Sequence, residues 1–304
     1  MQMPNRDIRK ITKNWELYLF LLPTLAYFVI FVYIPMYGVQ IAFKDFSAIN
    51  GIWGSPWVGI EHFRSFFNSY YVVDIIRNTV GISLYQLAVG FPFPIILALL
   101  MNELKNERFK KFFQTVTYAP HFISTVVMAG MIISFLSPST GIINFAIKAL
   151  GGKVVNFMVE PMWFKTIYVF SGVWQNAGWG TIIYLAVLAT VDIQLYDSAI
   201  IDGATKLQKI WHIDIPSILP TIVILLILST GHIMSVGFEK VFLLQNPLNL
   251  DSSEIISTYV YKSGLLQAQY SFSTAIGLFN SVINFILLVL VSKISKRISE
   301  VSFF

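Results

Sequence analysis

The sequence has no cysteine and few charges. Of its 304 residues, 12% are Asp, Glu, Lys or Arg, while 56% are hydrophobic. Without cysteine there are no disulfides, thiol nucleophiles or thiolate metal ligands. Only four histidines are present, and no cluster at metal-ligand spacing appears. No nucleophile–base arrangement or carboxylate pair stands out, so no catalytic residue is assigned. A soluble domain has about 25% charged residues, so this composition reads as an integral membrane protein. The net charge of +5 does not point to nucleic acid, because basic residues beside apolar runs mark cytoplasmic flanks. The first apolar run is too long for the core of a cleavable signal peptide, and no small-residue cleavage site follows it.

Charge-free windows measure the crossings, because one charge at the bilayer centre costs roughly 2.5–3.5 kcal/mol. Six windows are long enough: Leu17–Phe43, Asn78–Asn102, Phe112–Ile147, Thr166–Val191, Ile215–Phe238 and Ser263–Ser292. Each exceeds the roughly 20 residues that span the hydrocarbon as a helix. Ser137-Pro138-Ser139-Thr140-Gly141 reads as a turn, so the third helix should end near Phe135. Backbone groups in lipid must be satisfied within the segment. The expected fold is therefore all-α, with six transmembrane helices and a polar loop between the fourth and fifth. Residues 16–299 form the membrane domain, with that loop at about 192–216.

Basic residues set the orientation. Arg6, Arg9, Lys10 and Lys13 precede the first window. Lys105, Arg108, Lys110 and Lys111 follow the second, Lys206 and Lys209 the fourth, and Lys293, Lys296 and Arg297 the sixth. By the positive-inside rule these segments and both termini face the cytoplasm. Residues 1–15 are either a basic tail or an interfacial helix, since Ile8, Ile11 and Trp15 fall near helical spacing.

The loop Tyr196–Pro220 is the most specific local pattern. Small residues cluster at Ser198, Ala199, Gly203 and Ala204, and they let a backbone approach another surface closely. Gly203 can end a short helix. Leu207, Ile210 and Trp211 give an apolar stripe at i, i+3, i+4. Pro216 suits the first turn of the fifth span. The expected shape is a short helix, a glycine break, and a second helix leading into the bilayer. Two readings stand: a docking element, or an ordinary hairpin connection.

The loop resembles the EAA motif of importer-type ABC transporter permeases. Asp197-Ser198-Ala199 occupies the Glu-Ala-Ala positions, and Asp202-Gly203-Ala204 places the glycine four residues after Ala199. Ile213-Asp214-Ile215-Pro216 begins ten residues further on. Asp197, Ser198 and Ile215 depart conservatively from the family's Glu, Ala and Leu. The resemblance extends to Leu21-Leu22-Pro23, Tyr118-Ala119-Pro120-His121-Phe122, Gly178-Trp179-Gly180, Gly237-Phe238-Glu239 and Asn246-Pro247. Together these are similar to the sugar-type branch, near the permeases for complex oligosaccharides.

The resemblance implies a permease subunit of an ATP-driven importer in the bacterial cell membrane. Its implied partners are a second, distinct permease subunit, two ABC ATPase subunits and an extracellular solute-binding protein. The ATPases would bind ATP and Mg, leaving this chain without a cofactor and without enzymatic activity of its own. In agreement, the sequence has no G-x-x-x-x-G-K-[ST] phosphate loop; Gly151-Gly152-Lys153 lacks the upstream glycine and the following Ser/Thr. The resemblance assigns ATPase coupling to Asp197, Ser198, Ala199, Asp202, Gly203, Ala204, Ile213 and Pro216.

Polar and aromatic groups within the spans are candidates for solute contact. These are Trp174, Gln175, Asn176 and Trp179 in the fourth span, and Glu239 beyond the fifth. Aromatic faces suit the CH-rich face of a sugar, and amides suit its hydroxyls. Gln175 and Trp179, four apart, can share a helix face. Interfacial anchoring and helix bridging are the competing explanations. His121 and His232 read as packing residues, and Gly90, Pro92 and Pro94 as a kink in the second span. The rival function is a stand-alone secondary transporter of a small polar solute. It would ordinarily show internal repeats and intramembrane coupling charges, and neither is evident.

Overall fold

The computed structural model describes residues 15–231 and 233–299. The expectations for residues 1–14 and for His232 lie outside the described residues. Among the described residues no strand forms, and only an isolated bridge joins Lys44 and Trp57.

Four helices are long and apolar enough to cross a membrane alone: α1 (Trp15–Phe43), α2 (Val72–Asn102), α7 (Lys206–Gly231) and α9, whose apolar part is Tyr270–Ile294. Two bent pairs bring the number to six: α3 (Glu107–Phe122) with α4 (Thr125–Phe135), and α5 (Pro161–Leu188) with α6 (Ile193–Ile201). The helix α8 (Phe238–Leu244) lies in the connection between α7 and α9.

The windows located the helices well but not their breaks. The third window was read as one helix ending near Phe135; the helix does end there, but the segment is split into α3 and α4, which meet at 98°. Pro120 lacks a donor N–H. Ser124, in an extended conformation, accepts from the Val127 N–H and starts a new helix. The fifth span was expected to run to Phe238, but its helix stops at Gly231. The sixth was expected to begin at Ser263, but its long helix begins at Tyr270. In α2 the Gly90-Pro92-Pro94 segment leaves the helix continuous: Phe91 stays helical, and Pro92 opens the second half at its first turn, where no donor is needed.

The chain divides into two compact units. The first comprises Met1–Phe67 and Ser263–Leu278. Its helix α1 is rich in large apolar side chains, as a lipid-facing span requires. Within this unit the Phe46 N–H donates to Ser271 Oγ at 2.9 Å, and Phe66 is buried with its ring edge-on to Phe272. Trp53, Trp57 and Phe67 stay exposed.

The second unit comprises Asn68–Lys262 and Phe279–Phe304, and α5 is its centre. With 28 residues it is about 42 Å long at 1.5 Å per residue. One core, including Ile82, Met128, Tyr168, Val173 and Val241, surrounds its first half. A smaller one, including Ala98, Tyr184, Leu188 and Ile218, surrounds its second half. The connection after α7 is itself folded. Buried Asn249 donates to the carbonyls of Met158 and Leu244, and Lys262 pairs with Glu254 at 2.5 Å.

Candidate functional site

The segment between α5 and α7 is a rigid knob. Asp192 caps α6 by accepting from the Gln194 N–H at 2.9 Å, and α6 leaves α5 at 80°. At its other end the Gly203 N–H donates to the Ile200 carbonyl and the Ala204 N–H to the Ala199 carbonyl, at 3.0 and 2.8 Å. These are the two bonds of a Schellman terminus, which places the residue after the cap in the left-handed region. Gly203 is there at φ +75°. Two residues on, Thr205 and Gln208 form a capping box that starts the next helix. The helix–glycine–helix expectation is met, and the glycine is required by conformation, since no atom lies within 4 Å of where its Cβ would be.

The knob turns apolar side chains outward. Ile201 is 85% exposed, Leu207 77% and Trp211 68%, while Asp197, Ser198 and Asp202 are exposed beside them. Ala199, Ala204 and Ile213 are half-buried, and Pro216 is exposed in the first turns after a π-bulge at Ile210–Asp214. The motif residues thus lie along one short, ordered segment.

A clasp that sequence reasoning missed fastens the knob. The Tyr196 hydroxyl donates to Asp214 Oδ1 at 2.5 Å, and Asn102 Nδ2 reaches the same oxygen at 3.4 Å. Asp214 is fully buried, and its Oδ2 has no partner. Burial, then the carboxylate beside it, push the Tyr196 pKa up to about 12, so the phenol remains a donor. The clasp joins α6, the start of α7 and the end of α2. A carboxylate directly before a long apolar run was the available signal.

A cavity of ≈ 860 Å³ opens in the same unit. Its wall includes Gln86 and Gly90 from α2, Gly172, Asn176, Trp179 and Tyr184 from α5, Ser229 from α7, and Ser235. The sequence Gly178-Trp179-Gly180 explains how an indole reaches it. A Cβ at 178 would lie 2.1 Å from the Thr117 carbonyl oxygen, and one at 180 would lie 3.1 Å from Pro94. The two glycines let α3 and α2 close on α5 while the residue between them faces the cavity. Trp179 then stacks on His121, centroids 4.5 Å apart and planes 5° apart, with Phe122 edge-on at 5.6 Å. His121 Nδ1 is 3.0 Å from Asn176 Oδ1, and Asn176 Nδ2 donates to the Gly172 carbonyl. The bend after α3 therefore shapes the cavity's aromatic wall. His121, read from sequence as packing, supports Trp179.

The other candidates lie elsewhere. Gln175 donates to the Ile123 carbonyl at 2.8 Å and does not share the cavity face with Trp179. Trp174 is exposed outside the cavity lining, as is Glu239. Lys240, next to Glu239, is buried and contacts Tyr168. Among the described residues no three His, Asp or Glu side chains converge as a metal site.

Comparisons with known proteins bear on the family and the fold. The family described as "binding-protein-dependent transport system inner membrane component" matches residues 90–300. The chain is similar to the polygalacturonan/rhamnogalacturonan transport system permease protein YteP of Bacillus subtilis (strain 168), at 43% identity over 97% of this chain and 92% of that protein. It is also 43% identical to protein LplB of the same strain, over 95% of this chain and 91% of that one. Among solved structures, a chain of a bacterial ABC transporter involved in the import of the acidic polysaccharide alginate superposes with a TM-score of 0.90. That chain is 42% identical, over 97% of this chain and all of its own length.

Proposed function

Because the chain belongs to the family of binding-protein-dependent transport system inner membrane components, we propose that it is the permease through which an ATP-driven importer moves an oligosaccharide. Of the relatives above 40% identity, one is named for polygalacturonan/rhamnogalacturonan transport and one belongs to an importer of the acidic polysaccharide alginate, while the name of protein LplB states no solute; one solved relative is in complex with an alginate pentasaccharide-bound periplasmic protein. By the same reading a binding protein delivers the solute here, a second permease subunit completes the pathway, and two ATPase subunits bind ATP and Mg. The basic segments and both termini face the cytoplasm. No observation favours a stand-alone secondary transporter.

The exposed apolar knob carries the coupling assignment. Covering one such side chain stabilises an interface by about 1.5–3 kcal/mol. Ile200, Ile201, Leu207 and Trp211 together offer an anchor that water disfavours. A Schellman terminus and a capping box hold the knob rigid, so a push on it moves α7 and the end of α2 through the Tyr196–Asp214–Asn102 clasp. Asp197, Ser198, Ala199, Asp202, Gly203 and Ala204 form the docking segment, while Ile213 and Pro216 join it to α7. For the solute we assign Asn176 and Trp179, joined by Gln86 and Ser229. Trp174, Gln175 and Glu239 keep at most an indirect role.

Ile201→Asp tests the coupling assignment. Ile201 is almost fully exposed, so the chain should insert and fold normally. Copurification of the ATPase subunits and ATP-dependent uptake should both be lost. Wild-type copurification and uptake in this variant would refute the docking role.

A further inference from the structure

We propose that Lys240 is a specificity-determining residue whose buried ammonium biases the cavity toward solutes that carry carboxylates, uronate oligosaccharides above neutral ones. The inference rests on the importer reading above and specifies the charge of its solute.

Lys240 is only 8% exposed, and buried lysines are normally paired. Its ammonium has three donors. It donates to the Tyr168 carbonyl at 3.0 Å and sits 4.9 Å over the Tyr168 ring. No carboxylate among the described residues forms an ion pair with it. Glu239 precedes it, but adjacent helical residues diverge by about 100°, and Glu239 is exposed. The same connection does pair a lysine elsewhere, at Lys262–Glu254. Lys240 is therefore a cation that the fold could have neutralised and did not.

Its position relates that charge to the cavity. Outside Gly172's chain neighbours and its own helix backbone, Nζ is the one heavy atom within 4 Å of where a Cβ on Gly172 would stand, at 3.5 Å. Gly172 lines the cavity, as do Val173, Asn176 and Val236. The ammonium thus lies behind the wall where the wall has no side chain. Tyr168 fixes it there: its hydroxyl accepts from the Gly237 N–H at 3.1 Å, securing the start of α8. A buried cation without a carboxylate partner beside the cavity produces a field that favours anions. Burial draws the Lys240 pKa down to about 8, which leaves it mostly cationic at neutral pH.

The experiment is uptake by the assembled transporter with its binding protein in proteoliposomes. The probes are oligogalacturonates of two to five units and their methyl esters, which share a skeleton and differ in charge. Wild type should import the acids faster. Lys240→Met should lower the acid-to-ester ratio about tenfold, the order expected of one partly screened charge pair. Gly172→Asp, which sets a carboxylate against Nζ, should lower acid uptake about tenfold below Gly172→Asn. An unchanged ratio in Lys240→Met, or equal acid uptake by the two Gly172 variants, overturns the assignment of Lys240 alone. If wild type imports the esters as fast as the acids, the importer reading stands and the charge preference falls. If wild type imports neither, both fall. If it imports only the acids, the Gly172 pair decides.

Discussion

The knob between α5 and α7 and the cavity beside α5 invert each other's chemistry. The knob turns apolar Ile201, Leu207 and Trp211 outward from a segment that also carries Lys206 and Lys209. The cavity turns Gln86, Asn176 and Ser229 inward from helices that are mostly apolar. Each breaks the pattern of its surroundings, which is where function is expected when the rest of a chain is locally consistent. They also differ in how they are held. The knob is built from backbone, by a helix terminus and a cap within its own loop. The cavity is built from contacts between distant segments, His121 on Trp179 and Thr117 on Gly178. Damage to the knob should therefore uncouple a well-folded protein, while damage to the cavity should change what solute does.

The largest effect should come from Gly203→Glu. A non-glycine residue at φ +75° costs roughly 1 kcal/mol, and the added charge falls on the docking face. ATP-dependent uptake should drop to background while membrane insertion, followed by fractionation, is retained. Next is Asp214→Ala, which leaves the buried Tyr196 hydroxyl without its acceptor. Losing such a bond costs about 1–3 kcal/mol, so thermal unfolding should come earlier. Uptake should fall about tenfold, since the same loss is worth a factor of ten in an equilibrium. Trp179→Ala should act differently, lowering solute-stimulated ATP turnover in the assembled transporter more than basal turnover. Equal effects on both would place Trp179 in packing and erase the contrast between the two regions. Gly178→Ala should have the smallest direct effect on coupling. Its Cβ would meet the Thr117 carbonyl, with about 1–3 kcal/mol lost to overpacking, visible as lower thermal stability with an unchanged ratio of stimulated to basal turnover.

These effects divide along the line between what the sequence discloses and what it hides. Local chemistry was legible. Six charge-free windows located the crossings, Ser137–Gly141 marked the end of the third, and Gly203 announced its own turn, because each signal lies within a few residues of its consequence. Long-range contacts were not. The 98° bend after Phe122 falls inside a window read as one helix ending near Phe135, since a proline such as Pro120 can kink a helix or end it. Gln175 and Trp179 have compatible spacing, yet the bend draws the Ile123 carbonyl to Gln175 and leaves only Trp179 facing the cavity. Asp214 and Lys240 looked like ordinary charges beside apolar runs. Only their partners, Tyr196 from eighteen residues away and Tyr168 from seventy-two, show that both are buried.

The absence of cysteine makes the central claim directly testable. Ile201→Cys introduces the chain's single thiol, on the most exposed apolar residue of the knob. Maleimide labelling of this thiol should be fast in the isolated permease and strongly suppressed in the complete assembly, with a cross-link forming to the ATPase subunit. Equal labelling in both, with no cross-link to the ATPase, would contradict the account.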